Sequence, residues 1–130
     1  MKFLKSAMIA VLIAVLFAFT PVWAASLTGP QKNAVRSAKQ YLSIQGFSRS
    51  RLIQQLSSDY GDGYDVADAT VAVDSLNIDW NKQAARSAKQ YLSIQSFSCK
   101  GLTNQLSSSA GDGYTESQAN YGAQQTNTCQ

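Results

Sequence analysis

Residues Ala34–Tyr64, AVRSAKQYLSIQGFSRSRLIQQLSSDYGDGY, return as Ala84–Tyr114, AARSAKQYLSIQSFSCKGLTNQLSSSAGDGY, at an offset of 50 residues and with 22 of 31 positions identical. Identity at that level over one fixed period marks a duplicated module. A duplicated chemical site would carry reactive residues in both copies, and neither copy has them. The pattern therefore predicts two binding units, not an enzyme.

Working outward, each copy reads as three short helices. In the segment Gln31 to Gln45, Ala34, Ala38, Tyr41 and Leu42 fall on one helical stripe, and Ala84, Ala88, Tyr91 and Leu92 repeat it. Pro30 suits a first helical turn, where its missing N–H has no partner to lose, and Asp79 caps the equivalent helix of the second copy. Gly46 ends the first helix as a left-handed cap, and Ser96 in its place costs of order 1 kcal/mol. Ser48 caps a second helix that buries Leu52, Ile53 and Leu56, matched by Ser98, Leu102 and Leu106. The glycines of Gly61-Asp62-Gly63 and Gly111-Asp112-Gly113 allow positive φ on both sides of the aspartate, which makes these strings turns. A third helix follows each turn. Asp65 caps the first of these, with Val66, Ala69, Val73 and Leu76 buried; Thr115-x-x-Gln118 forms a capping box for the other, whose stripe thins to Ala119, Gly122 and Ala123. No stretch alternates as a strand. The fold class expected is all-α: two tandem three-helix, helix-turn-helix-like repeats packed together, bounded as 25–78 and 79–130.

A leader precedes the repeats. Lys2 and Lys5 precede an apolar run from Ala7 to Phe19, and Val22-Trp23-Ala24 offers the small residues a signal peptidase reads, so 1–24 is expected to be a signal peptide cleaved after Ala24. The competing expectation is an uncleaved membrane anchor. No Cys lies near the cleavage site to carry a lipid. Secretion or cell-surface location follows. The chain is +3 overall, but Lys2 and Lys5 leave with the leader, so nine basic residues then face eight acidic ones. Near-neutral charge outside the cell argues against nucleic-acid binding, which relies on clustered cations.

Each copy of about 50 residues is near the lower limit for standing alone, so the copies are expected to bury their apolar stripes against each other. Cys99 and Cys129 suit an oxidising compartment and one disulfide within the second repeat; two free thiols in a reducing space is the alternative.

The chain contains no His, which removes the commonest general base and zinc ligand. Ser37 and Lys39 lie two apart on a helix and face different ways, so they make no Ser-Lys pair. Asp59, Asp62, Asp65 and Asp68 become Ser109, Asp112, Thr115 and Gln118 in the other copy, which marks capping and turn chemistry, not a calcium site. No catalytic residue, metal or cofactor is implied. Candidate partner-binding residues are those of the polar helix faces, Arg36, Lys39, Gln40, Arg86, Lys89 and Gln90, together with Tyr60 and Tyr121, aromatics without an aromatic counterpart in the other copy.

The strings SAKQYLSIQGFSRSRLIQQLSSDYGDGY and SAKQYLSIQSFSCKGLTNQLSSSAGDGY resemble the tandem Ltp-type repeats of host cell surface-exposed lipoproteins of phages, prophages and Gram-positive bacteria. AKxYL, FS, LxxQL and GDGY at fixed spacing carry the resemblance over essentially the whole chain after the leader. It implies helix-turn-helix-like modules outside the membrane and superinfection exclusion: a protein partner, such as a phage tail component, is engaged and an incoming phage's DNA is blocked. One departure is that the leader lacks the lipid-bearing Cys implied by the family's name. The alternative function is a cell-wall association module, in which paired repeats gain avidity for a polymer.

Overall fold

The computed structural model describes residues 26–130, so the leader lies outside the described residues. Among these, six α-helices follow one another: α1 (Gly29–Ile44), α2 (Arg49–Ser57), α3 (Val66–Ser75), α4 (Trp80–Ile94), α5 (Cys99–Ser107) and α6 (Glu116–Gln124), closed by a 3-10 turn at Asn127–Cys129. No strand occurs among them.

Side chains at the first turns fix where most helices start. Thr28 and Gln31 form a reciprocal capping box on α1, with Pro30 just inside it, and Thr115 and Gln118 form one on α6. Ser48, Asp79 and Ser98 each accept a backbone N–H at the start of α2, α4 and α5. Asp65 differs from expectation. It holds the capping position of α3 but its side chain makes no capping bond. Val66 also departs from the expected stripe, being 63% exposed, while Ala72 takes the buried place beside Ala69 and Val73.

The repeats close separately. Ala38, Leu52, Leu56, Ala69 and Val73 form one core, and Ala84, Ala88, Leu102, Leu106, Tyr114, Ala119 and Ala123 form another. Within each repeat the third helix packs across the first two. The expected burial of one copy's apolar stripe against the other's is therefore corrected: the stripes fold inward on their own third helices, and the two repeats pack together through hydrogen bonds. Within the second repeat, Gly122 lets α6 approach α4 closely, since a Cβ there would lie 2.7 Å from the Ala84 carbonyl oxygen.

Two glycine expectations are also revised. Gly61 and Gly111, expected at positive φ, are glycine for space, a Cβ falling 2.1 Å from the Gln55 carbonyl oxygen and 2.2 Å from that of Gln105. Among the described residues only Gly63, Gly113 and Asn77 have positive φ, so Gly46 is not in the left-handed region either. Gly46 is instead needed for space, because a Cβ would fall 2.8 Å from the Gln83 carbonyl oxygen of α4. The second repeat has backed directly onto it.

Candidate functional site

The residues shared by the two copies build a cage inside each repeat. Tyr41 donates to Asp62 at 2.6 Å, Gln55 donates to the Tyr41 hydroxyl at 3.3 Å, and the Ser37 and Tyr64 hydroxyls lie 3.2 Å apart. Tyr91 with Asp112, Gln105 with Tyr91 at 3.2 Å, and Ser87 with Tyr114 at 2.7 Å reproduce it. AKxYL, LxxQL and GDGY are thus structural signatures that tie the turn to the first helix. Edge-on rings extend the cage, with Tyr41–Phe47 centroids 5.9 Å apart and Tyr91–Phe97 centroids 5.7 Å apart.

Burial differs between the two cages. Desolvation pushes the Tyr114 hydroxyl far above the ordinary tyrosine range and raises Tyr91, whose bond to Asp112 adds to the effect. Tyr41, partly buried, is raised chiefly by its bond to Asp62. Burial lifts Asp112 above the usual carboxylate range, partly offset by the Tyr91 hydroxyl and the Arg51 charge.

The reason for the asymmetry is the joint between repeats. From the second repeat, Arg86 donates to the Leu42 carbonyl, Gln90 accepts from the Gly46 N–H at 3.0 Å, and Gln83 accepts from the Phe47 N–H at 3.3 Å. From the first, Ser48 donates to the Asp112 carbonyl and Ser50 to the Gly113 carbonyl at 2.9 Å. Arg51 reaches the carbonyls of Gly111, at 2.9 Å, and Ser109. The helix-turn-helix corner of repeat 1 is thereby seated on the first helix and glycine turn of repeat 2.

This separates the candidate partner-binding residues. Arg86 and Gln90, expected to be free, belong to the joint, whereas their counterparts Arg36 and Gln40 are exposed, as are Lys39 and Lys89. Tyr60 is fully exposed and Tyr121 is 41% exposed. Lys89, Tyr121 and Arg86 meet at a shallow depression between α4 and α6, with Lys82 and Gln125. Tyr60 instead stands beside a cleft of about 690 Å³ at the joint, with Gln45, Gln54 and Gln90 in its lining. Ile44 and Ile94, which the sequence did not single out, also line it and are 71% and 77% exposed. Their signal was a matched isoleucine falling outside the apolar stripe.

The second helix of a helix-turn-helix unit is the one that reads DNA in such folds. Here the cations of α2 are engaged: Arg49 pairs with Asp74 at 2.7 Å, and Arg51 holds the turn of the other repeat. Arg49 draws the Asp74 carboxyl below its usual range. The place of Arg49 is taken in the second repeat by Cys99, which is bonded to Cys129. Both cysteines of the sequence are in that disulfide, so neither is free to carry a lipid. Metal ligands do not gather in threes among the described residues, and no helix there is long and apolar enough to cross a membrane. Asp62 instead receives Tyr41, and Asp68 accepts from Gln31 at 3.1 Å.

Two self-contained helical repeats clasped by polar contacts, with exposed cations and aromatics on their surface, define a tandem helical-repeat protein. Residues 30–76 and 79–125 each match the family described as host cell surface-exposed lipoprotein, Ltp, and the chain belongs to that family. The structure of Ltp, a superinfection exclusion protein from the Streptococcus thermophilus temperate phage TP-J34, is similar at a TM-score of 0.70 and 35% sequence identity, over 78% of this chain and 99% of that chain. No curated protein sequence matches the chain. Placement at the cell surface agrees with the family.

Proposed function

We propose that this protein is a non-enzymatic superinfection exclusion factor, which binds a protein of an incoming phage, such as a tail component, at the cell envelope and blocks passage of its DNA. The observation that carries this is the similarity to the phage TP-J34 exclusion protein, which extends over 99% of that chain at 35% identity. The exposed Arg36, Lys39, Gln40, Lys89, Tyr60 and Tyr121 provide surface for such a partner. Expression in a phage-sensitive Gram-positive host should lower plaque counts and intracellular phage DNA while leaving adsorption unchanged. Unchanged plaque counts across a panel of phages would sink the proposal.

A second reading, cell-wall association, draws on the joint cleft. Its amide side chains, Tyr60 and Tyr91 suit a neutral, hydroxyl-rich polymer, since amides supply both donors and acceptors and rings offer flat apolar faces. Retention of the purified protein on peptidoglycan distinguishes the two.

A further inference from the structure

The joint is head to tail: one kind of surface, the corner of repeat 1, meets a different kind, the α4 and turn face of repeat 2. A heterologous contact of this type leaves one unused copy of each surface at the two ends. The ends are not equivalent here.

At the repeat 2 end the corner is disabled. Ser96 stands where Gly46 admits the neighbouring helix, Lys100 replaces Ser50, and Gly101 lacks the guanidinium with which Arg51 holds the opposing turn. The tail also folds over this corner, with Thr128 donating to the Phe97 carbonyl at 2.7 Å and Cys129 bonded to Cys99. Such changes are those of a terminal, capping repeat.

At the repeat 1 end most of the receptor face is retained. Arg36, Ser37 and Gln40 match the Arg86, Ser87 and Gln90 that meet the corner, and the turn at 59–63 repeats the backbone whose carbonyls receive Ser48, Ser50 and Arg51. Asn33 carries the amide of Gln83 on a stem one methylene shorter and accepts from Arg36 instead. Arg36, Gln40, Asp62 and Gly63 are exposed.

We propose that this α1 and turn face of repeat 1 is a docking site for the helix-turn-helix corner of another Ltp-type repeat carried by a separate protein. The corner it fits has glycine after the first helix, then Phe-Ser-x-Ser-Arg, since these residues make the same contacts within the chain. A second, unmodified copy is not the occupant, because its repeat 2 corner is blocked and its repeat 1 corner is already covered. The assignment does not depend on phage exclusion, and its test reads association alone.

The test uses two full-length probes against the wild-type chain. The first restores the repeat 2 corner with Ser96→Gly, Lys100→Ser and Gly101→Arg; the second opens the joint with Arg86→Glu and Gln90→Glu, releasing the native corner. Both also carry Arg36→Glu so that they do not bind themselves. A joint held closed across a short linker implies a Kd between separate chains no weaker than on the order of 1 mM. NMR titration of labelled wild-type protein should therefore move amide signals of α1 and the turn at 58–63, leaving α6 unmoved. Arg36→Glu in the labelled chain should weaken binding about tenfold or more. Absence of binding by both probes, each folded by circular dichroism, would overturn the proposal, as would shifts confined to the joint cleft or unaffected by Arg36→Glu.

Discussion

Gly46 lies against the α4 backbone with no room for a side chain: a Cβ there would stand 2.8 Å from the Gln83 carbonyl oxygen. The glycine and the helix it faces belong to different repeats, so this approach sets how closely the two units clasp.

Gly46→Val is expected to loosen the joint at a cost of about 1 to 3 kcal/mol, as overpacking does elsewhere, while both cores persist. Helical circular dichroism should be retained. Hydrogen exchange at the Gly46 and Phe47 amides, which Gln90 and Gln83 now protect, should accelerate. Unchanged exchange at these amides would show that the joint does not need the glycine.

Because the cores are separate, Leu56→Ala and Leu106→Ala should each weaken mainly its own repeat. Deletion of a fully buried leucine costs about 2 to 5 kcal/mol, and both side chains are fully buried. Urea unfolding followed by residue-resolved NMR should show the first repeat melting early in one variant and the second in the other. A single shared transition in both would mean that the joint couples the repeats fully.

The disulfide closes a 30-residue separation, for which the chain-entropy model gives about 3 to 4 kcal/mol as an upper estimate. Reduction, or Cys99→Ser with Cys129→Ser, is expected to destabilise the second repeat and to free the tail from α5. Arg49→Ala at the matching position should cost no more than about 1 kcal/mol, since the ion pair with Asp74 is half exposed. Thermal melts of the two variants provide the comparison.

Alkaline pH should unfold the second repeat first. Tyr114 keeps its proton in the folded state beyond the ordinary tyrosine range, so the unfolded chain ionises first and stability falls as pH rises past about 10. The slope from this residue is about 1.4 kcal/mol per pH unit until its folded-state pKa is reached. Tyr114→Phe removes the slope but also the bond to Ser87. It should therefore be less stable at neutral pH and less sensitive above pH 10. Asp112 acts at the other end: its folded-state pKa is raised, so its contribution is complete below the ordinary carboxylate range and is lost as pH climbs through the raised value. Urea melts across pH would register both.

Much of the local structure was legible because its causes lie within a few residues. The Ser48, Asp79, Ser98 and Thr115 caps, the helical stripes and the turns depend on side chains bonding or packing three to eight positions away. Asp65 and Val66 departed because a suitable residue at a cap or stripe position still answers to its tertiary surroundings. Gly46 departs from expectation for a related reason: glycine signals either unusual φ or close approach, and only the neighbour distinguishes them.

Duplication and the helical period were therefore determined by the sequence itself, through short-range bonding and packing, while the structure decided between a disulfide and two free thiols. Tertiary structure alone decided which of two identical residues is free. Arg36 and Arg86, or Gln40 and Gln90, share nearly the same local string, yet one of each pair faces solvent and the other grips the opposite repeat. Their difference arises from a head-to-tail contact between residues 44 positions apart, which no local pattern encodes.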